Sequence, residues 1–286
     1  MANYGDYTQP NEWQLNNLHT AMDWNAAGLP ALRVLGGDTQ WSINISAGNV
    51  TGVDYIEKFG LNNDVDSEKE TIWDGGGIYE YLSAPDTVVI NSTDPSDSAT
   101  GSGARTVEVQ GLDAGHNLVT EIITVGGGPG AQLFIRVFRA IVITAGTSGV
   151  NEGTLTIMGN NSGLLLAGIG VDGQGQNSAG RGQTFMAMYT IPAGKTGFLT
   201  QWTVGAGKQN TDAVSFLMVK QPGIADGAFN SKDVITVSAT TYSKNYKIPL
   251  RFNELTDIEV RAYSTTNNSL VSSTFNIILV DNENIS

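Results

Sequence analysis

The stretch "RTVEVQGLDAGHNLVTEIITV", Arg105–Val125, decides the fold class. Val107 and Val109 alternate with Thr106, Glu108 and Gln110, the period-two pattern of a strand buried on one face. "GLDAGHN" then gathers glycine, aspartate and asparagine, which tolerate the backbone of a tight turn, and "LVTEIITV", Leu118–Val125, reads as the returning strand. The predicted unit is a β-hairpin, and its pattern recurs outward in both directions.

Downstream, "LFIRVFRAIVI", Leu133–Ile143, and "TLTIM" continue the series. Arg136 and Arg139 are three apart, so a regular strand would send them to opposite faces. Seven further runs follow: "TFMAMYTI", "FLTQWTV", "VSFLMVK", "DVITVSA", "NYKIPL", "DIEVRAY" and "TFNIILVD". Short strands separated by Gly, Asn and Pro turns predict a sandwich or jelly roll. Pro249 lacks a ladder donor and assigns its strand to an edge or an interruption. Between residues 159 and 182 eight of 24 residues are glycine, which predicts a linker. The expected architecture is all-β, with β-sandwich domains at 31–158 and 183–286, the second jelly-roll-like.

Residues 1–30 form a short, partly helical N-terminal arm in this reading. Leu15, Leu18 and Met22 make a weak apolar stripe, which predicts a helix between Asn11 and Ala27. The arm either packs on its own domain or docks on another chain through Trp13, Leu18 and Trp24.

Composition narrows the function. Fifteen Lys and Arg against 28 Asp and Glu give a net charge of −13, and the basic residues do not cluster, so nucleic acid is not an expected partner. Cysteine is absent, which removes disulfides, thiolate metal sites and cysteine nucleophiles. There is no apolar run of about 18 residues and no basic, apolar leader, so neither membrane spanning nor classical secretion is expected. Charged residues are only 15% of the chain, low against the roughly one quarter usual for soluble domains. A surface of that kind suits a sheet protein covered by neighbouring copies.

The local motifs favour structural readings. "IPAGKTGFLT", Ile191–Thr200, ends like a phosphate-binding loop at Gly194-Lys195-Thr196, but Tyr189 stands where the loop needs glycine and a strand follows where it needs a helix. It reads as a turn between strands. His19 and His116 stand alone, outside metal-ligand spacing, and His116 reads as a turn residue. Asp64, Asp66 and Glu68 have the alternation of a calcium loop, but Lys69 replaces the glycine such a loop requires, so a solvated acidic loop is favoured. "IWDGGGIYEYL" brings together Trp73, Asp74, Tyr79 and Tyr81, either to bind carbohydrate or to fill a core or subunit contact. The packing reading is favoured. No carboxylate pair is marked for glycosidase chemistry, and no cofactor is expected.

The segments "YIEKFGLNNDVD", "TIWDGGGIYEYLSA", "GARTVEVQGLDAGHNLVTEIITVGG", "FIRVFRAIVITAGTSGVNEGTLTI", "YTIPAGKTGFLTQWTV" and "FNELTDIEVRA" together resemble a family of virion structural proteins of tailed bacteriophages, frequent in marine phages. The similarity spans about Tyr55 to Val280. It implies a particle component and supplies no catalytic residues. The chain is therefore expected to be a non-enzymatic virion protein made in the host cytoplasm, head-decorating or neck-associated, with other copies of itself, as a trimer, and other virion proteins as partners. The alternative is a tail spike or fibre module that binds host glycan.

Overall fold

The computed structural model describes residues 22–24, 30–32, 38–172, 179–207, 211–221 and 227–285. Two compact units divide the chain, Met1–Thr51 and Gly52–Ser286. In the first, β1 (Met22–Trp24) pairs antiparallel with β2 (Pro30–Leu32), and α1 spans Asp38–Ser46. Of the helix expected between Asn11 and Ala27, only Met22–Trp24 falls among the described residues, and those three form a strand. Trp13 and Leu18 lie outside the described residues, and Trp24 is described in its backbone alone.

The second unit contains the remaining strands in order: β3 (Val53–Val65), β4 (Glu70–Thr71), β5 (Val88–Ser92), β6 (Ala104–Leu112), β7 (Leu118–Thr124), β8 (Arg136–Ala145), β9 (Leu155–Gly159), β10 (Leu165–Ile169), β11 (Val171–Asp172), β12 (Ala179–Gly180), β13 (Met188–Thr190), β14 (Lys195–Ala206), β15 (Asp212–Lys220), β16 (Asn230–Ser238), β17 (Thr241–Phe252), β18 (Asp257–Ser264) and β19 (Ser269–Asp281). The main sheets run β10-β9-β5, β7-β6-β8, β13-β18-β15-β16 with β4 added on β18, and β17-β14-β19-β3. Every pairing is antiparallel. The all-β expectation therefore holds, and the opening hairpin is β6–β7, with Val107 opposite Ile123 and Val109 opposite Glu121.

Chain order and domain order part company. Residues 88–169 build the first two sheets, while β3 and β4 leave the N-terminal half to complete the other two. Val53 pairs with Val280 and Ile56 with Ile277, so β3 closes against β19. The buried residues of all four sheets form one continuous core, from Val88 and Ile157 through Phe134 and Tyr189 to Trp202 and Phe275. Within the segment read as a linker, residues 165–169 form β10, which pairs with β9 and buries Leu166, Ala167 and Ile169, while 173–178 lie outside the described residues. A Cβ at Gly180 would lie 2.0 Å from the Asn151 carbonyl oxygen, so that glycine serves a close approach. On β3, a Cβ at Gly60 would lie 2.3 Å from the Ile72 carbonyl oxygen and 2.4 Å from the Ala187 nitrogen, so only glycine lets the two layers approach.

Candidate functional site

The glycine-lysine-threonine turn is occupied by the fold itself. Gly194 takes φ +73°, its N–H donates to Glu254 Oε2 at 2.6 Å, and Lys195 opens β14 between Asp54 Oδ2 at 2.9 Å and Asp281 Oδ1 at 2.7 Å. Carboxylates already hold the donors that a phosphate would need.

Trp73, Tyr79 and Tyr81 form a packed row. Trp73 and Tyr79 are buried and meet edge to face at 5.0 Å, and Tyr79 meets Tyr81 at 4.8 Å. Their polar ends are spent inside the chain: Trp73 Nε1 donates to Gly76 O at 3.0 Å, Tyr79 Oη to Val137 O at 3.2 Å, and Tyr81 Oη to Glu259 Oε2 at 3.2 Å. Trp73 and Tyr79 thus pack into the core, and Tyr81 lies half-buried at its margin.

Around the row lies an interior ionic junction. Glu259, fully buried on β18, accepts from Arg261 Nε at 2.7 Å and Nη2 at 3.1 Å, and from Thr71 Oγ1. Two residues earlier, Asp257 accepts the fork of Arg136 through Nε at 2.9 Å and Nη2 at 3.0 Å, with Thr190 Oγ1 at 2.6 Å. Arg136 also lies 4.9 Å from the centre of the Tyr81 ring. Each charge is paired and each carboxylate is satisfied, so the junction locks β8 to β18 and has no free group for acid or base work. The opposite faces expected for Arg136 and Arg139 require a regular strand, and β8 is not one. It bulges at Phe138, with Val137 opposite Gly111 and Arg139 opposite Gln110, which returns both arginines to one face. Arg139 donates from Nη2 to Glu57 O at 3.0 Å.

Asp74 turns away from the aromatic row. It pairs with Arg181 and accepts the Phe185 N–H at 2.9 Å; burial pushes its carboxyl up to about 6, while that N–H and Arg181 pull it back. A polar cleft of about 290 Å³ adjoins it, walled by Asn62, Asn63, Asp64, Gly75, Thr154 and Arg181. Asp64 and Glu68 are exposed, and Asp66 Oδ1 accepts the Asn268 N–H at 2.9 Å. Among the described residues no three His, Asp or Glu side chains gather as a metal site. His116 sits in the β6–β7 turn at φ 59°, and His19 lies outside the described residues.

Strand β17 is largely exposed. One of its twelve side chains, Phe252, is buried, and Ile248 is 85% exposed. Leu199 pairs with Leu250 and Gln201 with Asn245, so Tyr246–Pro249 bow out past Thr200. Lys244 Nζ at 2.6 Å and Tyr246 Oη at 2.5 Å both donate to Asp233 Oδ2, which ties this edge to β16. Sequence reasoning reached the edge through Pro249 but missed the buried charges of Lys58, Asp257 and Glu259. Parity was the available signal, since Ile56, Lys58, Gly60 and Asn62 fall on one face of β3.

No family model matches the chain, and no curated protein matches it. Among solved structures, it is similar to infectious bursal disease virus of the Gx strain at 8% identity over 81% of this chain and 72% of that one, with a TM-score of 0.22. The infectious bursal disease virus VP2 subviral particle aligns at 10% identity over 80% and 72%, with a TM-score of 0.19. At such scores the likeness establishes neither a shared fold nor a shared function.

Proposed function

We propose that this protein is a non-enzymatic structural component of a tailed-phage virion, head-decorating or neck-associated, that works as a homo-oligomer, with a trimer as the working stoichiometry. The observation that carries the reading is β17: a twelve-residue strand at a sheet edge with one buried side chain and a bowed-out, apolar Ile248. Isolated sheets manage their edges with charge, brevity or cover. A long edge with exposed Tyr242 and Ile248 is suited to burial by another subunit. The low charge content and the segmental resemblance to virion proteins point the same way. For the tail spike or fibre alternative, the polar cleft beside Asp74 is the better-placed surface, since Trp73 and Tyr79 are buried.

Copy number and position in purified particles test the proposal. Many copies on the head or a ring at the neck support it. A few copies at the tail tip, with adsorption lost on antibody blocking, favour the glycan-binding module. Absence from particles overturns both.

A further inference from the structure

Lys58 is 3% exposed on the inward face of β3. Its Nζ donates to the Phe138 carbonyl oxygen and lies 5.5 Å from the centre of that ring. Among the described residues no carboxylate stands within ion-pair distance of it. Burial, and then the neighbouring Arg139 cation, push its pKa well below the ordinary lysine value. The interior ionic junction pairs every charge it buries, so Lys58 is a marked exception.

A cavity of about 100 Å³ lies beside it, lined by Lys58, Arg139, Tyr189, Gln110, Phe138 and Ile56. Arg139 is half-buried and spends Nη2 on Glu57 O. Tyr189 is 2% exposed and its hydroxyl has no hydrogen-bond partner. Three donors under-supplied with acceptors therefore share one small space, contributed by β3, β8 and β13.

We infer that this cavity binds a small monocarboxylate of about the size of acetate, held by Lys58, Arg139 and the Tyr189 hydroxyl. A planar guanidinium matches a carboxylate edge, and the Tyr189 hydroxyl would gain its missing acceptor. Phe138 and Ile56 supply an apolar wall for a short alkyl group. Arg139 supplies the attracting charge, Glu57, which also lines the cavity, offsets part of it, and a bound carboxylate would favour the charged form of Lys58, so a monoanion suits the site better than a phosphate dianion.

The test titrates sodium acetate into the full chain at constant ionic strength, with sodium chloride as the control, and follows amide chemical shifts. Saturable acetate binding is expected without a matching chloride response. Arg139→Gln should weaken it about tenfold, Lys58→Met by at least about tenfold and Tyr189→Phe about threefold. Arg139→Gln alters a half-buried side chain, so it reads the site even where Lys58→Met perturbs folding. Lack of saturation, an equal response to chloride, or unchanged acetate affinity in Arg139→Gln would overturn the assignment.

Discussion

Strands β17 and β18 are neighbours in sequence, joined by Asn253–Thr256, yet they live in opposite environments. In β18, six of eight side chains are buried, including those of Asp257 and Glu259; in β17, one of twelve is. β18 is flanked by β15 on one side and by β13 and β4 on the other, whereas β17 has only β14. Polarity does not sort the two strands, since the inner one buries carboxylates and the outer one exposes isoleucine. Position in the sheet does, and arginine neighbours make the burial of β18 tolerable. The contrast implies that the folded chain is complete at β18 and unfinished at β17.

The contrast is tested most severely at Asp257. Asp257→Ala leaves the Arg136 guanidinium in the interior without its partner and is expected to cost about 3–5 kcal/mol in urea unfolding. A loss below about 1 kcal/mol would mean that water or another group reaches Arg136 and that β18 is less enclosed than its burial indicates. Gly60→Ala places a methyl group against the backbone at Ile72 and Ala187, with an expected loss of about 1–3 kcal/mol by the same measurement.

Asp74 sharpens the comparison, because it has an arginine partner and is still held near 6 by burial. Its folded pKa lies above the ordinary 3.8, so the folded chain binds this proton more tightly than the unfolded one. Its stabilising contribution is therefore complete below about pH 4 and lost as pH rises through 6. Replacement with asparagine should flatten that part of the stability–pH curve, removing a fall on the order of 3 kcal/mol. The smallest effect is expected at β17. Ile248→Ser should change the unfolding free energy of dilute chain by less than about 0.5 kcal/mol while reducing self-association measured by light scattering. A loss above about 1 kcal/mol in the dilute chain would place Ile248 in a contact within its own subunit and remove the contrast.

Strands were legible where alternation was clean, as in Val107 and Val109 of β6, and Pro249 marked its edge correctly. Partnership was less legible, because nothing local in "YIEKFGLNNDVD" says that its strand lies beside "TFNIILVD". The glycine-rich run obscured β10, Leu165–Ile169, whose small residues Ala167 and Gly168 sit in a packed strand. The aromatic row was visible as a cluster, but its enclosure depends on Val137 and Glu259, which are distant in sequence. Lys58 carried a faint signal: it shares parity with Ile56 and Gly60, yet a lysine inside an acidic, polar run suggests solvent.

The pairing of Val53 with Val280 also sets a clock. A ribosome adding about 5–20 residues per second finishes β19 roughly ten to forty seconds after β3 emerges. Throughout that interval β3 lacks its ladder partner, and β14 has only the later-made β17 to flank it. The nascent sheet must remain unpaired or be shielded, while the sheets built from residues 88–169 can already form. Shortened products that stop before Ser269 would lack β19 and present the edges of both strands to proteases and to one another.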